Sequence, residues 1–378
     1  VPDEAGAVVA VDGKAPHPNV SLKWGIRVVF RAFPPAVRRV LAGKPVHRDG
    51  QTLDPDLQLL LRLGKLTARR APAATLQSRR QQLEVGGPLV GGAVAGVASR
   101  EIDLTADDPG RSLPSRLYTP DGLSAGSPLL VYFHGGAWVT GSLNSHEPLC
   151  RFLAAHAGVR VLSVAYRRAP EHPFPAAVDD AAAAFTFAHA RAGDLGADPD
   201  AIAVGGDSAG GGLAAVVAHR AVRAGRPTPA FLLMFYPHCD TANRSVSREL
   251  FGNGFGLTDE DIEWYTDQYL PPGVDRSDPR VSIALADDLS GLPPTYVVTG
   301  GFDPLRDEGE LLASRLAQAG VDVVLRREPD LMHGFANLLG ISVRCREAVA
   351  QGAGALRVGL ALAVRSHGSS DDGRSLTG

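Results

Sequence analysis

The chain has 378 residues, 44% apolar and 21% charged, with 43 glycines, 28 prolines and three cysteines. That composition describes a globular protein of one large domain with additions, or of two domains, and excludes disorder as the main state. A net charge of −3 argues against nucleic acid as a main partner, and the lack of any apolar run of about 18 residues argues against a transmembrane helix.

The charge is unevenly spread. Residues 1–100 carry 15 Lys and Arg against 7 Asp and Glu, so the acidic excess lies in the remainder. The start of the chain, with Asp3 and Glu4, lacks the basic region and apolar core of a secretory signal. Cys150, Cys239 and Cys345 are scattered, with neither a disulfide framework nor zinc-ligand spacing. A reducing, cytoplasmic setting is the expectation.

Residues 1–19, punctuated by glycine and proline, read as irregular. From Val20 to Leu41 an apolar and basic pattern predicts two short helices interrupted at Pro34-Pro35. Residues 20–44 mix Lys23, Trp24, Arg27, Phe30, Arg31, Phe33, Arg38, Arg39 and Lys44. Such a segment suits peripheral contact with an anionic lipid surface, or cap helices packed on a core with a solvated basic face. A helix is expected from Pro55 to about Arg70, with Asp54 as its N-cap and Leu57, Leu60, Leu61 and Leu63 near helical spacing. Another runs from Leu76 to about Glu84 and fades into the glycine-rich residues 86–96.

The texture changes near Val97. Apolar runs at 128–133, 159–165, 201–204, 230–236, 295–299 and 321–325 alternate with alanine-rich or amphipathic stretches of helical length. Near-continuous apolar strands separated by helices predict a mostly parallel sheet covered on both faces. Residues 99–105 and 112–118 predict an antiparallel lead-in hairpin, which brings the sheet to about eight strands. The stretch 238–290 is too long for a plain connection and holds a helical piece from Thr258 to about Tyr269, so it reads as an insertion. The tail 366–378 is expected to be disordered.

The sharpest signal is Gly206-Asp207-Ser208-Ala209-Gly210, preceded by a short apolar strand and followed by an alanine-rich helix. In that context G-x-S-x-G holds a nucleophilic serine at the tip of a strained turn, and the helix N-terminus offers N–H groups to a developing oxyanion. Strand 128–133 ends in His134-Gly135-Gly136-Ala137-Trp138, the place for the rest of an oxyanion hole. The hole is therefore assigned to Gly135, Gly136, Ala137 and Ala209. Gly136, Ala137 and Ala209 are the expected donors, and Gly135 shapes the turn. Of eleven histidines, His333 follows a late strand in a short polar loop and is the candidate base. Asp303 lies just past strand 295–299 and is the candidate acid that orients it, ahead of Asp330, Asp307, Glu308 and Glu310. His134 reads as a structural ring bracing the oxyanion loop, and the other nine histidines as surface or satisfied polar residues.

These motifs, with Tyr166-Arg167-Arg168-Ala169-Pro170-Glu171-His172-Pro173-Phe174-Pro175-Ala176, Asp303-Pro304-Leu305-Arg306-Asp307-Glu308-Gly309 and His333-Gly334-Phe335, resemble the hormone-sensitive-lipase-like family of α/β-hydrolase serine esterases, in its GDSAG branch. The likeness covers about residues 97–365, and residues 49–63 are similar to that family's N-terminal cap helices; the alanine- and arginine-rich composition suggests an actinobacterial member. The resemblance implies an α/β-hydrolase fold with a mostly parallel eight-stranded sheet, in core parts 97–237 and 291–365, and a cap from residues 1–96 and 238–290. It also implies hydrolysis of small-molecule or lipid esters by a Ser208–His333–Asp303 triad, without metal or organic cofactor. Trp138, Phe251, Phe255 and Trp264 are then candidates for the substrate pocket. Rival readings are a lipase for longer chains or membrane lipids, an amidase or deacetylase, and a non-catalytic ligand receptor of the kind that lacks the histidine. His333 speaks against the last.

Overall fold

The computed structural model describes residues 29–68, 75–104 and 112–371. Helical residues 29–32 break at Phe33–Pro34 and resume as α1 (Pro35–Ala42), with proline at the first position, where its missing N–H costs nothing. A two-residue hairpin, β1 (His47–Arg48) and β2 (Gln51–Thr52), leads into α2 (Pro55–Ala68). The Asp54 carboxylate accepts from the N–H groups of Asp56 and Leu57, so it caps this helix as expected.

The next helix, α3 (Leu76–Gly91), continues past Glu84 through the glycine-rich run. Packing decides this. A Cβ on Gly87 would lie 2.2 Å from the Ser145 carbonyl, and one on Gly91 2.5 Å from the Pro148 ring. Those glycines let the helix approach its neighbours closely, and their low helix propensity is overridden.

Eight strands follow: β3 (Val97–Asp103), β4 (Pro114–Pro120), β5 (Ser127–Phe133), β6 (Arg160–Val164), β7 (Ala197–Asp207), β8 (Leu232–Phe235), β9 (Thr295–Phe302) and β10 (Val323–Met332). They form one sheet in the order β10-β9-β8-β7-β5-β6-β4-β3. β3 pairs antiparallel with β4, and β4 antiparallel with β6; every other pairing is parallel. Between the strands lie α4 (Glu147–Ala157), α5 (Ala176–Ala190), α6 (Ala209–Arg223) and α9 (Arg306–Gln318), while α10 (Val343–Asp371) closes the chain. Residues 238–290 carry α7 (Val246–Phe251) and α8 (Asp259–Tyr269). The last helix runs on to Asp371, so the chain beyond Arg365, expected to be disordered, continues helical there; residues 372–378 lie outside the described residues.

The strands are apolar on both faces because both faces are covered. Leu129, Val131, Phe133, Val204 and Val297 point into one cluster with Ala181 of α5, Leu213 of α6 and Leu312 of α9. Their neighbours Leu130, Tyr132, Ala203 and Val298 point into the other, with Leu153 of α4 and Ala348 of α10. Leu57 of α2 belongs to that second cluster and is fully buried, which makes the N-terminal helix part of the packed core. Among the described residues no helix is long and apolar enough to cross a membrane. Truncating Leu57 to alanine is expected to cost about 2–5 kcal/mol of stability, read as a lowered urea midpoint. An unchanged midpoint would show α2 to be a detachable cover.

Candidate active site

Four strand ends converge. β5, β7, β9 and β10 are followed at their carboxyl ends by His134, Ser208, Asp303 and His333 respectively, where parallel sheets gather their ligands. Ser208 sits between β7 and α6 at φ 54°, ψ −123°, a backbone conformation that L-residues rarely adopt. The turn can be this sharp because Gly206 and Gly210 flank it. A Cβ on Gly210 would lie 1.9 Å from the Phe133 carbonyl, and one on Gly206 2.4 Å from it.

The Ser208 hydroxyl donates to His333 Nε2 at 3.0 Å, and His333 Nδ1 donates to Asp303 Oδ2 at 2.8 Å. Asp303 is fully buried, and its other oxygen accepts from the Leu305 N–H at 2.7 Å, which fixes the carboxylate plane. The other acids go elsewhere. Asp330 pairs with Arg344, Asp307 with Arg306, and Glu310 with Arg327, while Glu308 accepts from the Cys239 N–H at 2.7 Å.

In the loop after β5 the backbone turns left-handed at Gly136 (φ 114°), Ala137 (φ 52°) and Trp138 (φ 60°). The N–H groups of Gly136, Ala137 and Ala209 have no acceptor among the described residues. Gly135 differs. Its N–H donates to Asp207 Oδ1 at 2.9 Å, so it is not an open donor, and it belongs to the turn rather than the hole. His134 braces this loop: its Nδ1 donates to the Gly135 carbonyl at 2.8 Å, and its ring stacks on Tyr166 at 4.3 Å. Burial, reinforced by His146, pushes the His134 pKa down to about 3, so the ring is neutral.

Asp207 lies inside the Gly206–Gly210 turn, and its sequence neighbours alone assign it no role. It is buried, and besides Gly135 it accepts from the Tyr132 hydroxyl at 2.6 Å, Asn337 Nδ2 at 3.0 Å and His146 Nε2 at 3.3 Å. Burial alone would raise this carboxyl, but the neighbouring His146 and the hydrogen bonds it receives hold it well below the usual carboxylate range. Since Asn337 lies four residues beyond His333, one carboxylate ties the loop after β5 to the loop after β10. Sequence alone offers no signal for this, because Tyr132, His146 and Asn337 are remote in the chain.

The aromatic candidates divide. Trp138 is buried, stacks on Tyr269 at 4.4 Å and lies against the His238 ring at 4.9 Å. Phe251 and Phe255 pack with Phe302 in one apolar cluster, at 5.5 and 5.2 Å. Trp264 carries the Arg79 guanidinium at 4.8 Å, and Arg79 pairs with Asp261, which joins α3 to α8. Among the described residues, His238 differs from the other remaining histidines. It is 4% exposed, its backbone N–H donates to the Ser208 carbonyl, and its ring, set against Trp138, has no hydrogen-bond partner among the described residues.

Residues 130–337, more than half the chain, match the profile of the α/β-hydrolase fold family. With the sheet order and the strand-turn-helix at Ser208, the chain belongs to that family. Among curated relatives, the carboxylic ester hydrolase LipN of Mycobacterium tuberculosis is 45% identical over 323 residues, 83% of this chain and 85% of that protein. The ethyl acetate hydrolase of Pseudomonas putida is 38% identical over 297 residues, 76% of this chain and 93% of that protein. Among solved structures, the hyperthermophilic esterase of the archaeon Pyrobaculum calidifontis superposes with a TM-score of 0.74 at 36% identity, over 81% of this chain and 98% of that one.

Replacing Asp207 with asparagine removes the charge facing His146 and leaves one oxygen for the donors. It is expected to cost about 3–5 kcal/mol in a denaturant melt and to lower kcat at least tenfold at 25 °C. Wild-type stability and turnover in that variant would mean that the network does not hold the two loops.

Proposed function

We propose that this chain is a serine carboxylic-ester hydrolase acting through an acyl-enzyme on short- to medium-chain acyl esters. The observation that carries the reading is the unbroken hydrogen-bond chain from Asp303 through His333 to Ser208. In this reading the Ser208 oxygen attacks the ester carbonyl as His333 Nε2 takes its proton. Asp303 holds the Nδ1–H tautomer and stabilises the imidazolium. The N–H groups of Gly136, Ala137 and Ala209 receive the tetrahedral oxyanion, each worth about 3 kcal/mol to the transition state. His333 then protonates the departing alkoxide, and the alcohol leaves an acyl-Ser208. Water attacks this acyl group, His333 takes the water's proton, and the acid is released as Ser208 regains its hydrogen.

What supports short acyl groups is the row of rings at the end of the oxyanion loop, where Trp138 stacks on Tyr269 and lies against His238. An ester hydrolase named for ethyl acetate is also among the relatives. Replacing Ser208 with alanine is expected to cut hydrolysis of p-nitrophenyl butyrate by at least about 10⁴-fold with the melting temperature retained. Undiminished turnover would sink the triad. Across a series from acetate to palmitate, kcat/KM is expected to fall steeply beyond medium chains, and a flat or rising profile would favour a lipase.

A second reading, peripheral contact with anionic lipid, is favoured by α1. Phe33, Val37 and Leu41 are exposed, and Val40 is 80% exposed, beside the exposed Arg31, Arg39 and Lys44. Arg38 is turned away, paired with Asp56. An apolar stripe rimmed by cations suits an interface with acidic headgroups. The full chain is then expected to co-sediment with phosphatidylglycerol vesicles in a salt-sensitive manner, and Val40→Glu to weaken that binding at least fivefold. Equal sedimentation of both proteins would remove the lipid surface from the account.

A further inference from the structure

Past β8 the chain turns through Tyr236 and Pro237 and sets His238 against the nucleophile. The His238 N–H donates to the Ser208 carbonyl at 2.9 Å, and its side chain lies on the Trp138 indole that ends the oxyanion loop. The residue is 4% exposed. Burial above all, then the positive charge of Arg248, pushes its pKa down to about 3, so the ring stays neutral in ordinary buffers. A neutral imidazole has one N–H to give and one nitrogen to receive a proton. Neither finds a partner among the described residues.

The neighbouring buried histidines are unlike it. His134 donates to the Gly135 carbonyl, and His146 bonds both Ser145 Oγ and Asp207. Although His238 is 4% exposed, its ring nitrogens are not among the side-chain atoms sealed in the interior without a partner, so they open onto space that water or a bound molecule can reach. Whatever bonds these nitrogens comes from outside the chain, at a place joined to Ser208 through the His238 backbone and to the oxyanion loop through Trp138.

We propose that His238 is a specificity residue: its imidazole hydrogen-bonds a hydroxyl or carbonyl carried by the ester within a few atoms of the scissile carbonyl. The favoured substrates are thus oxygenated esters, not plain alkyl ones. This rests on the esterase reading above. A site built to hydrogen-bond a substrate oxygen discriminates strongly against the analogue that lacks it, because the site's polar group is then stranded.

The test compares kcat/KM for matched pairs: p-nitrophenyl 3-hydroxybutyrate against p-nitrophenyl butyrate on the acyl side, and 2-hydroxyethyl butyrate against propyl butyrate on the alcohol side. Wild-type protein is expected to favour the hydroxylated member of at least one pair tenfold or more. In His238→Phe that ratio should fall to about one, and His238→Gln, which can still hydrogen-bond, should keep part of it. No preference in either pair for wild-type protein overturns the proposal whether or not the variants fold. A preference that survives in His238→Phe overturns it as well. Failure of wild-type protein to turn over any of the four esters overturns the esterase reading instead, and this one with it.

Discussion

The buried carboxylate of Asp207 is the interaction on which the site's geometry depends. It stands one residue before Ser208 and reaches Gly135 in the loop after β5 and Asn337 beyond His333, with Tyr132 and His146 completing its shell. The sheet alone fixes strand ends only to the precision of their loops. Hydrogen bonds to a charged acceptor in a low-dielectric interior are short and directional, so a shared one sets the mutual positions of loops far more tightly. The left-handed stretch Gly136–Trp138 is then held in place by bonds at its root: Gly135 on Asp207, and His134 folded back on Gly135.

Strain and close approach complete the arrangement. Ser208 holds an unfavourable backbone angle, and the surrounding packing over-determines it: its N–H donates to the Phe235 carbonyl and its carbonyl accepts from His238. Small residues at 206 and 210 let β7, α6 and the end of β5 meet where any side chain would collide with backbone. The insertion is held onto this centre from two sides. Tyr269 of α8 stacks on Trp138 and its carbonyl accepts from the Phe174 N–H, while Asp261 pairs with Arg79 of the N-terminal helix α3.

Local signals were strong wherever a residue's role is set by its immediate neighbours in the chain. The apolar runs of β5 and β7, the Asp54 cap and the strand-turn-helix at Gly206–Gly210 all have causes within a few residues, so they could be read directly. The α/β alternation likewise follows from strands that must be apolar on both faces. The glycine-rich end of α3 is helical against its local propensity because it packs on Ser145 and Pro148, contacts that no local pattern reports. Gly135, placed in the oxyanion loop as the residue that shapes its turn, has its N–H taken by a carboxylate 72 residues away, a partner no local pattern reports.

By itself the sequence determined the class of fold, the order of its strands along the chain and the three residue types that meet at Ser208, His333 and Asp303. It could do so because glycine spacing and apolar periodicity are conditions on consecutive atoms. Only the tertiary structure decided where the competing acids go, how Asp207 joins two loops, and that the His238 ring lies on Trp138 with no partner among the described residues. Those outcomes depend on burial and on groups from distant segments brought within hydrogen-bond range, and a buried donor or acceptor acquires its partner, or its lack of one, only when the chain has packed.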